Sequence, residues 1–256
     1  MTIAGLDPAT VVALLATGFV GGVVSVLVSL ASLVTYPALL ALGLPPVSAN
    51  VTNTVALTAN SLGAMVGARP ELRGQRPTLA RLALVAAAGG ATGALLLLVL
   101  PARAFELVAP LLIGGASVLI LIQPRLQTRA RFQPRGITAT TAGAYFATAT
   151  YIGYFGAAGG VLALVSLGAI IDRPLTHVNA AKAVLAGAAN GAAAIGFALF
   201  GPVSWSMAVP LAMGLFAGGL VGPAIARRLP APAFRVLIGV CGLGVAVLLG
   251  VRTYAG

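Results

Sequence analysis

Acidic side chains are nearly missing from this sequence: 256 residues hold four Asp and Glu, one histidine and one cysteine. That scarcity excludes several function classes at once. The acids Asp7, Glu71, Glu106 and Asp172 fall in loops or at the ends of apolar runs, so no paired carboxylates stand ready for acid–base chemistry. A single His and a single Cys cannot assemble a metal centre. Cys241 lies in an apolar run without a disulfide partner and reads as a buried structural thiol. No Walker-type phosphate loop and no nucleophile elbow occurs. The expectation is a protein that is not an enzyme and needs neither cofactor nor metal.

Charge of either sign is also scarce, at 7% of residues, while 59% are hydrophobic and the mean hydropathy is +1.06. Soluble domains carry roughly 25% charged residues, and a soluble fold of this size has too much surface to leave so little polar cover. Lipid is the solvent that fits. The apolar runs are about 20 residues long and continuous, which points to spanning helices rather than to alternating strands. The first ten residues contain Asp7 but no Lys or Arg, so a cleavable signal sequence is not expected.

What charge there is has a pattern. The net charge is +11, and the arginines cluster in short loops between apolar runs. That is the positive-inside signature of membrane topology, and a nucleic-acid partner is not expected.

Eight apolar segments follow from the punctuation, at about 9–42, 47–68, 78–100, 104–123, 136–170, 175–200, 203–226 and 231–251. Segments 9–42 and 136–170 are overlong, about 50 Å as straight helices against a hydrocarbon core of about 30 Å. Both are interrupted, by Ser29-Leu30-Ala31-Ser32 and by Gly156-Ala157-Ala158-Gly159-Gly160. If all eight segments cross once, nine loop arginines fall inside and five outside. If each overlong segment returns to its side of entry, the division becomes twelve and two, which the positive-inside rule prefers. Both termini are then external.

Each overlong segment opens onto a similar passage. A shift of 129 positions lays Pro45 on Pro174, Asn50 on Asn179 and Asn53 on Lys182, with a further asparagine in each helix, Asn60 and Asn190. The expected fold is an all-α polytopic membrane protein with two inverted repeats of about four segments each. The first segment of each is an interrupted, re-entrant or broken hairpin. Residues 1–123 form the first repeat, 124–135 a cytoplasmic Arg-rich linker and 136–256 the second repeat. Inverted repeats with interrupted helices place a binding site near the midplane between the halves.

Lys182 gives that site its sign. An ammonium in an apolar helix costs about 3 kcal/mol or more unless paired or hydrated, and no intramembrane carboxylate is present to pair with it. It is expected to face a polar cavity and bind a small anion. Asn179 shares its face at a spacing of three, as Asn50 shares one with Asn53. Ser29, Ser32, Gly159 and Gly160 sit where the interrupted helices free backbone N–H groups, and such termini attract anions. His177, at a helix start, is a candidate for proton coupling.

A family fits these residues. Gly18-Phe19-Val20-Gly21-Gly22, Tyr36-Pro37-Ala38-Leu39-Leu40-Ala41-Leu42-Gly43-Leu44-Pro45-Pro46 and Ala49-Asn50-Val51-Thr52-Asn53 resemble the TauE/SafE family of sulfite exporter-like permeases. Gly153-Tyr154-Phe155-Gly156-Ala157-Ala158-Gly159-Gly160 resembles its repeated glycine motif, whereas the first half has Ser29-Leu30-Ala31-Ser32 at that place. The resemblance implies a multi-pass inner-membrane permease for a sulfur oxyanion or organosulfonate such as sulfite or sulfoacetate. The competing expectation is a channel-like or structural membrane subunit without alternating access. Oligomeric state and direction of transport have no signature in the sequence.

Overall fold

In a computed structural model, residues 6–129, 136–156, 159–227 and 231–254 are described, and they are all-helical. Ten helices run α1 Pro8–Val28, α2 Ser32–Ala41, α3 Pro46–Gly67, α4 Arg76–Val99, α5 Ala102–Arg129, α6 Ala139–Tyr154, α7 Gly159–Gly168, α8 Leu175–Phe200, α9 Trp205–Ala226 and α10 Ala231–Tyr254. Among the described residues, α1, α4, α5, α8, α9 and α10 contain stretches long and apolar enough to cross a membrane. The helix α3 has the length but is more polar, because Asn50, Thr52, Asn53, Thr54, Asn60 and Ser61 are all buried along it. The stretch expected as a linker is partly helix, since α5 runs on to Arg129, and 130–135 lie outside the described residues.

Local chemistry sets the helix ends. Asp7 caps α1 by accepting from the Ala9 N–H at 2.7 Å, and Pro8 fills the first turn, where no N–H partner is needed. Each overlong segment is two helices. In the first, α1 ends at Ser29, which takes a left-handed backbone with φ of 65°. In the second the left-handed position after α6 is Gly156, φ 77°. The chain then folds back on itself. A Cβ on Gly21 of α1 would lie 2.7 Å from the Thr35 methyl of α2, and Thr148 of α6 shares a 3.0 Å hydroxyl bond with Ser166 of α7. Ala157 and Ala158 lie outside the described residues.

Small residues allow the helices to meet. Gly18 and Gly22 of α1 press on Gly214 and Gly218 of α9, and a Cβ on Gly22 would fall 2.6 Å from the Leu215 carbonyl oxygen. In lipid, where apolar side chains gain little by leaving the solvent, this backbone proximity drives association. The facing residues give directions. Gly18 faces Leu211, Gly22 faces Leu215 and Val26 faces Gly222, so α1 and α9 run the same way. Gly89 faces Phe146 and Gly93 faces Thr150, so α4 and α6 do likewise. Ser61 faces Gly187 while Val51 faces Gly201, so α3 and α8 run oppositely.

Burial is inverted relative to a soluble protein. Leu84, Val99 and Phe200 are 75%, 73% and 77% exposed, whereas Asn50, Thr52 and Asn53 are at 0%. Cys241, expected to be buried, is exposed instead. Its helix packs chiefly on α5 through Gly239 and Gly242, so residues off that seam, Cys241 among them, face outward.

Candidate functional site

The two helix breaks touch at the centre of the bundle. A Cβ on Gly160 would lie 2.8 Å from the Ser29 Cβ, and Gly156 approaches the Ser32 hydroxyl. Beside this crossing stands Lys182 of α8, the one lysine of the chain, with 6% of its surface exposed. Its Nζ donates to Ser29 Oγ at 2.6 Å and to the Ser25 carbonyl oxygen at 3.2 Å. An ammonium has three donors, and two are accounted for. Among the described residues no carboxylate pairs with it; the ion pairs there are Arg103–Glu106 and Arg227–Glu71.

A cavity of about 160 Å³ opens beside the ammonium. Its deep end is formed by Ser25, Ser29, Ser32, Gly156, Gly160 and Lys182, and it reaches past Asn60, Ser61, Asn179 and Asn190 to Thr176, Glu71 and Arg227. Asn60 Nδ2 donates to Ser25 Oγ at 2.8 Å, fixing that hydroxyl. The rim residues belong to one end of the molecule. Arg227, at the close of α9, pairs with Glu71 at 2.9 Å, and Gln75 Nε2 reaches the His177 carbonyl oxygen at the start of α8.

Of the residues singled out in the sequence, Lys182, Asn179, Ser29, Ser32 and Gly160 line this cavity together. Gly159 packs against the Ile152 side chain instead. His177 sits near the rim but outside the lining, its ring nitrogen beside the Thr176 hydroxyl at 3.3 Å. Asn50 and Asn53 lie beyond the deep end. Asn53 Nδ2 donates to Ser32 Oγ at 3.2 Å, and its Oδ1 accepts from Thr35 Oγ1 at 2.5 Å. Asn50 Nδ2 donates to the Tyr154 carbonyl oxygen at 2.9 Å. Asn179 does the corresponding thing in the other half, donating to the Val26 carbonyl oxygen at 3.2 Å. Each asparagine thus holds the end of the first helix in the other half's hairpin.

Sequence reasoning left out Ser25, Asn60, Ser61, Glu71 and Arg227 as site residues. Asn60 both bonds Ser25 and lines the cavity. A signal existed for Asn60 and Ser61: both lie on the polar stripe of α3 that contains Asn53.

One ammonium and several hydroxyls converge on a small space, an arrangement that can hold an anion.

The chain is 24% identical to a "Probable membrane transporter protein ORF9" of Sinorhizobium sp over 243 residues, covering 92% of this chain and 90% of that protein. No solved structure matches it. Residues 14–249 match the family described as Sulfite exporter TauE/SafE, and with nearly the whole length so matched, the chain belongs to that family of multi-pass membrane transporters.

Proposed function

We propose that this protein is a secondary permease of the cell inner membrane that carries a small oxygen-rich anion, a sulfur oxyanion or organosulfonate such as sulfite or sulfoacetate. The single observation behind the reading is Lys182: a buried ammonium, bonded among the described residues to Ser29 and Ser25 alone, beside a cavity sized for a small anion. An anion there restores the charge balance that the chain's own side chains leave open. The sulfur in that anion rests on the family alone.

The carrier works by alternating access between two inverted repeats, 1–123 and 136–256, each opening with a re-entrant hairpin. Antiparallel packing of α3 on α8 supports this, as do the exchanged bonds from Asn50 and Asn179. Contacts that bring residues 68–75 to the start of α8 and the end of α9, at one end of the molecule, support the returning topology. Arg69, Arg73 and Arg173 make that end the cytoplasmic one.

Uptake of labelled sulfite into proteoliposomes tests the reading. Uptake is expected to saturate, and Lys182→Met lowers its kcat/KM about a hundredfold, as for a charged hydrogen bond worth about 3 kcal/mol. Lys182→Arg retains part of it. Flux that is linear in sulfite, or indifferent to Lys182→Met in a protein that still elutes as a sharp peak, overturns the proposal.

A further inference from the structure

Past the deep end of the cavity the polar chain continues. Ser32 lines the cavity on one side and accepts from Asn53 on the other. Beyond it lie Thr35, Asn50, Asn53 and Thr54, all at 0% exposure. Asn50 Oδ1 is buried there without a hydrogen-bond partner, which costs stability. Asn50 and Asn53 tie the hairpins together here, yet that tie leaves one amide oxygen unmatched. Aromatic rings pack together next to the Tyr154 carbonyl that Asn50 holds. Tyr36 meets Phe155 edge-on at 5.7 Å, and Phe105 meets Phe155 at 5.7 Å and Tyr154 at 5.9 Å.

The shift of 129 that relates the two halves links this cluster to the open cavity. Counterparts of Asn50, Thr54, Leu57 and Ser61 are Asn179, Ala183, Ala186 and Asn190, and all four of these α8 residues line the cavity. Antiparallel packing turns the same stripe of α3 toward the opposite end. In the present conformation all four α8 positions line the cavity, whereas on α3 Leu57 and Ser61 line it too and only Asn50 and Thr54 are sealed away.

We infer that Asn50, Asn53 and Thr54 form a second, outward-facing anion-binding face of the same site, covered now by Tyr36, Phe105 and Phe155 and uncovered when those rings part. The inference rests on the transporter reading. The donors of this face, Asn50 Nδ2, Asn53 Nδ2 and Thr54 Oγ1, are held now by the Tyr154 carbonyl, Ser32 Oγ and the Asn50 carbonyl. The oxygens of an oxyanion can take the place of those acceptors once the rings part. Lys182 has Asn53 as its counterpart, so this face binds through dipoles where the inner face binds through charge.

Cysteine accessibility tests it in the full-length protein in membranes, with Cys241→Ser as background. The probe is a membrane-impermeant methanethiosulfonate cation applied from either side without substrate. Ala183→Cys reports the open cavity and Thr54→Cys the sealed face. Thr54→Cys is expected to react from the side opposite to the one that reaches Ala183→Cys. Adding Phe105→Ala should accelerate it at least about tenfold, because two ring pairs are lost. Phe105→Leu, a gentler truncation, gives a smaller acceleration in the same direction and serves if the alanine variant does not fold. The inference is overturned if Thr54→Cys stays unmodified with every residue tried at 105 while Ala183→Cys reacts, and equally if both react from one side. Those outcomes leave the cavity and the transporter reading standing. Failure of Ala183→Cys to react from either side sinks both.

Discussion

At the scale of single residues, Ser29 does two things that pull against each other. Its left-handed backbone costs a non-glycine residue about 1–2 kcal/mol, yet its hydroxyl is the closest partner of the Lys182 ammonium, at 2.6 Å. The second half puts glycine at the matching turn, Gly156, and carries no hydroxyl there. Strain kept at a functional position implies that the side chain matters. Ser29→Gly should therefore raise the melting temperature in detergent while weakening sulfite binding, about tenfold for a lost charged hydrogen bond. Ser29→Ala keeps the strain and loses the bond, so it should weaken binding equally without the gain in stability. Equal stability of the two variants by thermal unfolding would contradict this account.

Lys182 was legible in the sequence because an isolated ammonium in an apolar run has few physical explanations. Ser25 and Ser61 were not, since a hydroxyl in a membrane helix can satisfy itself on its own backbone and gives no sign of which way it points. Asn50 and Asn53 were legible as polar residues needing partners. Their separation from the cavity was not, because it depends on how distant helices pack around the two breaks.

At the scale of helices, the sequence places the segments closely: 47–68 against the observed Pro46–Gly67, and 203–226 against Trp205–Ala226. Apolar length and proline mark ends locally, so this is expected. Which helix packs on which is another matter, and the parallel pairing of α1 with α9 across almost the whole chain has no local signature. That seam depends on glycines at a spacing of four, Gly18 and Gly22 against Gly214 and Gly218. A side chain at Gly22 would strike the α9 backbone, which cannot yield, so Gly22→Leu should cost about 1–3 kcal/mol or more and lower the melting temperature sharply. Gly115 of α5 supplies the control, because a Cβ there meets nothing within 4 Å. Gly115→Ala is expected to be neutral, or to stabilise by up to about 1 kcal/mol through helix propensity. Similar losses from both substitutions, read by thermal unfolding in the same detergent, would mean that the glycines matter as a class and not through this seam.

At the scale of the whole molecule, the proposed anion cargo meets an electrostatic problem in the glutamate on the rim of the cavity. Glu71 lines the cavity, its side chain is 17% exposed, and one of its oxygens is held by Arg227 at 2.9 Å. Its other oxygen, Oε2, is buried without a partner. The carboxylate is thus turned inward, where it repels an entering anion unless the guanidinium cancels it. Arg227, 52% exposed at its side chain, is the group an anion meets first. The pair also ties the loop after α3 to the end of α9, which joins the two halves at the rim. If its role is electrostatic, the charges matter through their sum. Arg227→Gln leaves the carboxylate bare and should raise the KM for sulfite, while Glu71→Gln frees the guanidinium and should lower it. Each shift is about two- to tenfold for a unit charge acting across several ångströms of partly wet space, and the double variant returns close to the wild-type KM. Maximal rate changes little in all three, because Lys182 and the crossing of the helix breaks are untouched. Raising ionic strength toward 1 M shrinks the differences, since the Debye length falls to about 3 Å. A merely mechanical tie gives another pattern: either single variant loosens the rim, both move KM the same way, the double resembles each single, and salt has no effect. Sulfite uptake by the four proteins at two salt concentrations separates the cases, and a KM that rises for Glu71→Gln would reject the electrostatic one.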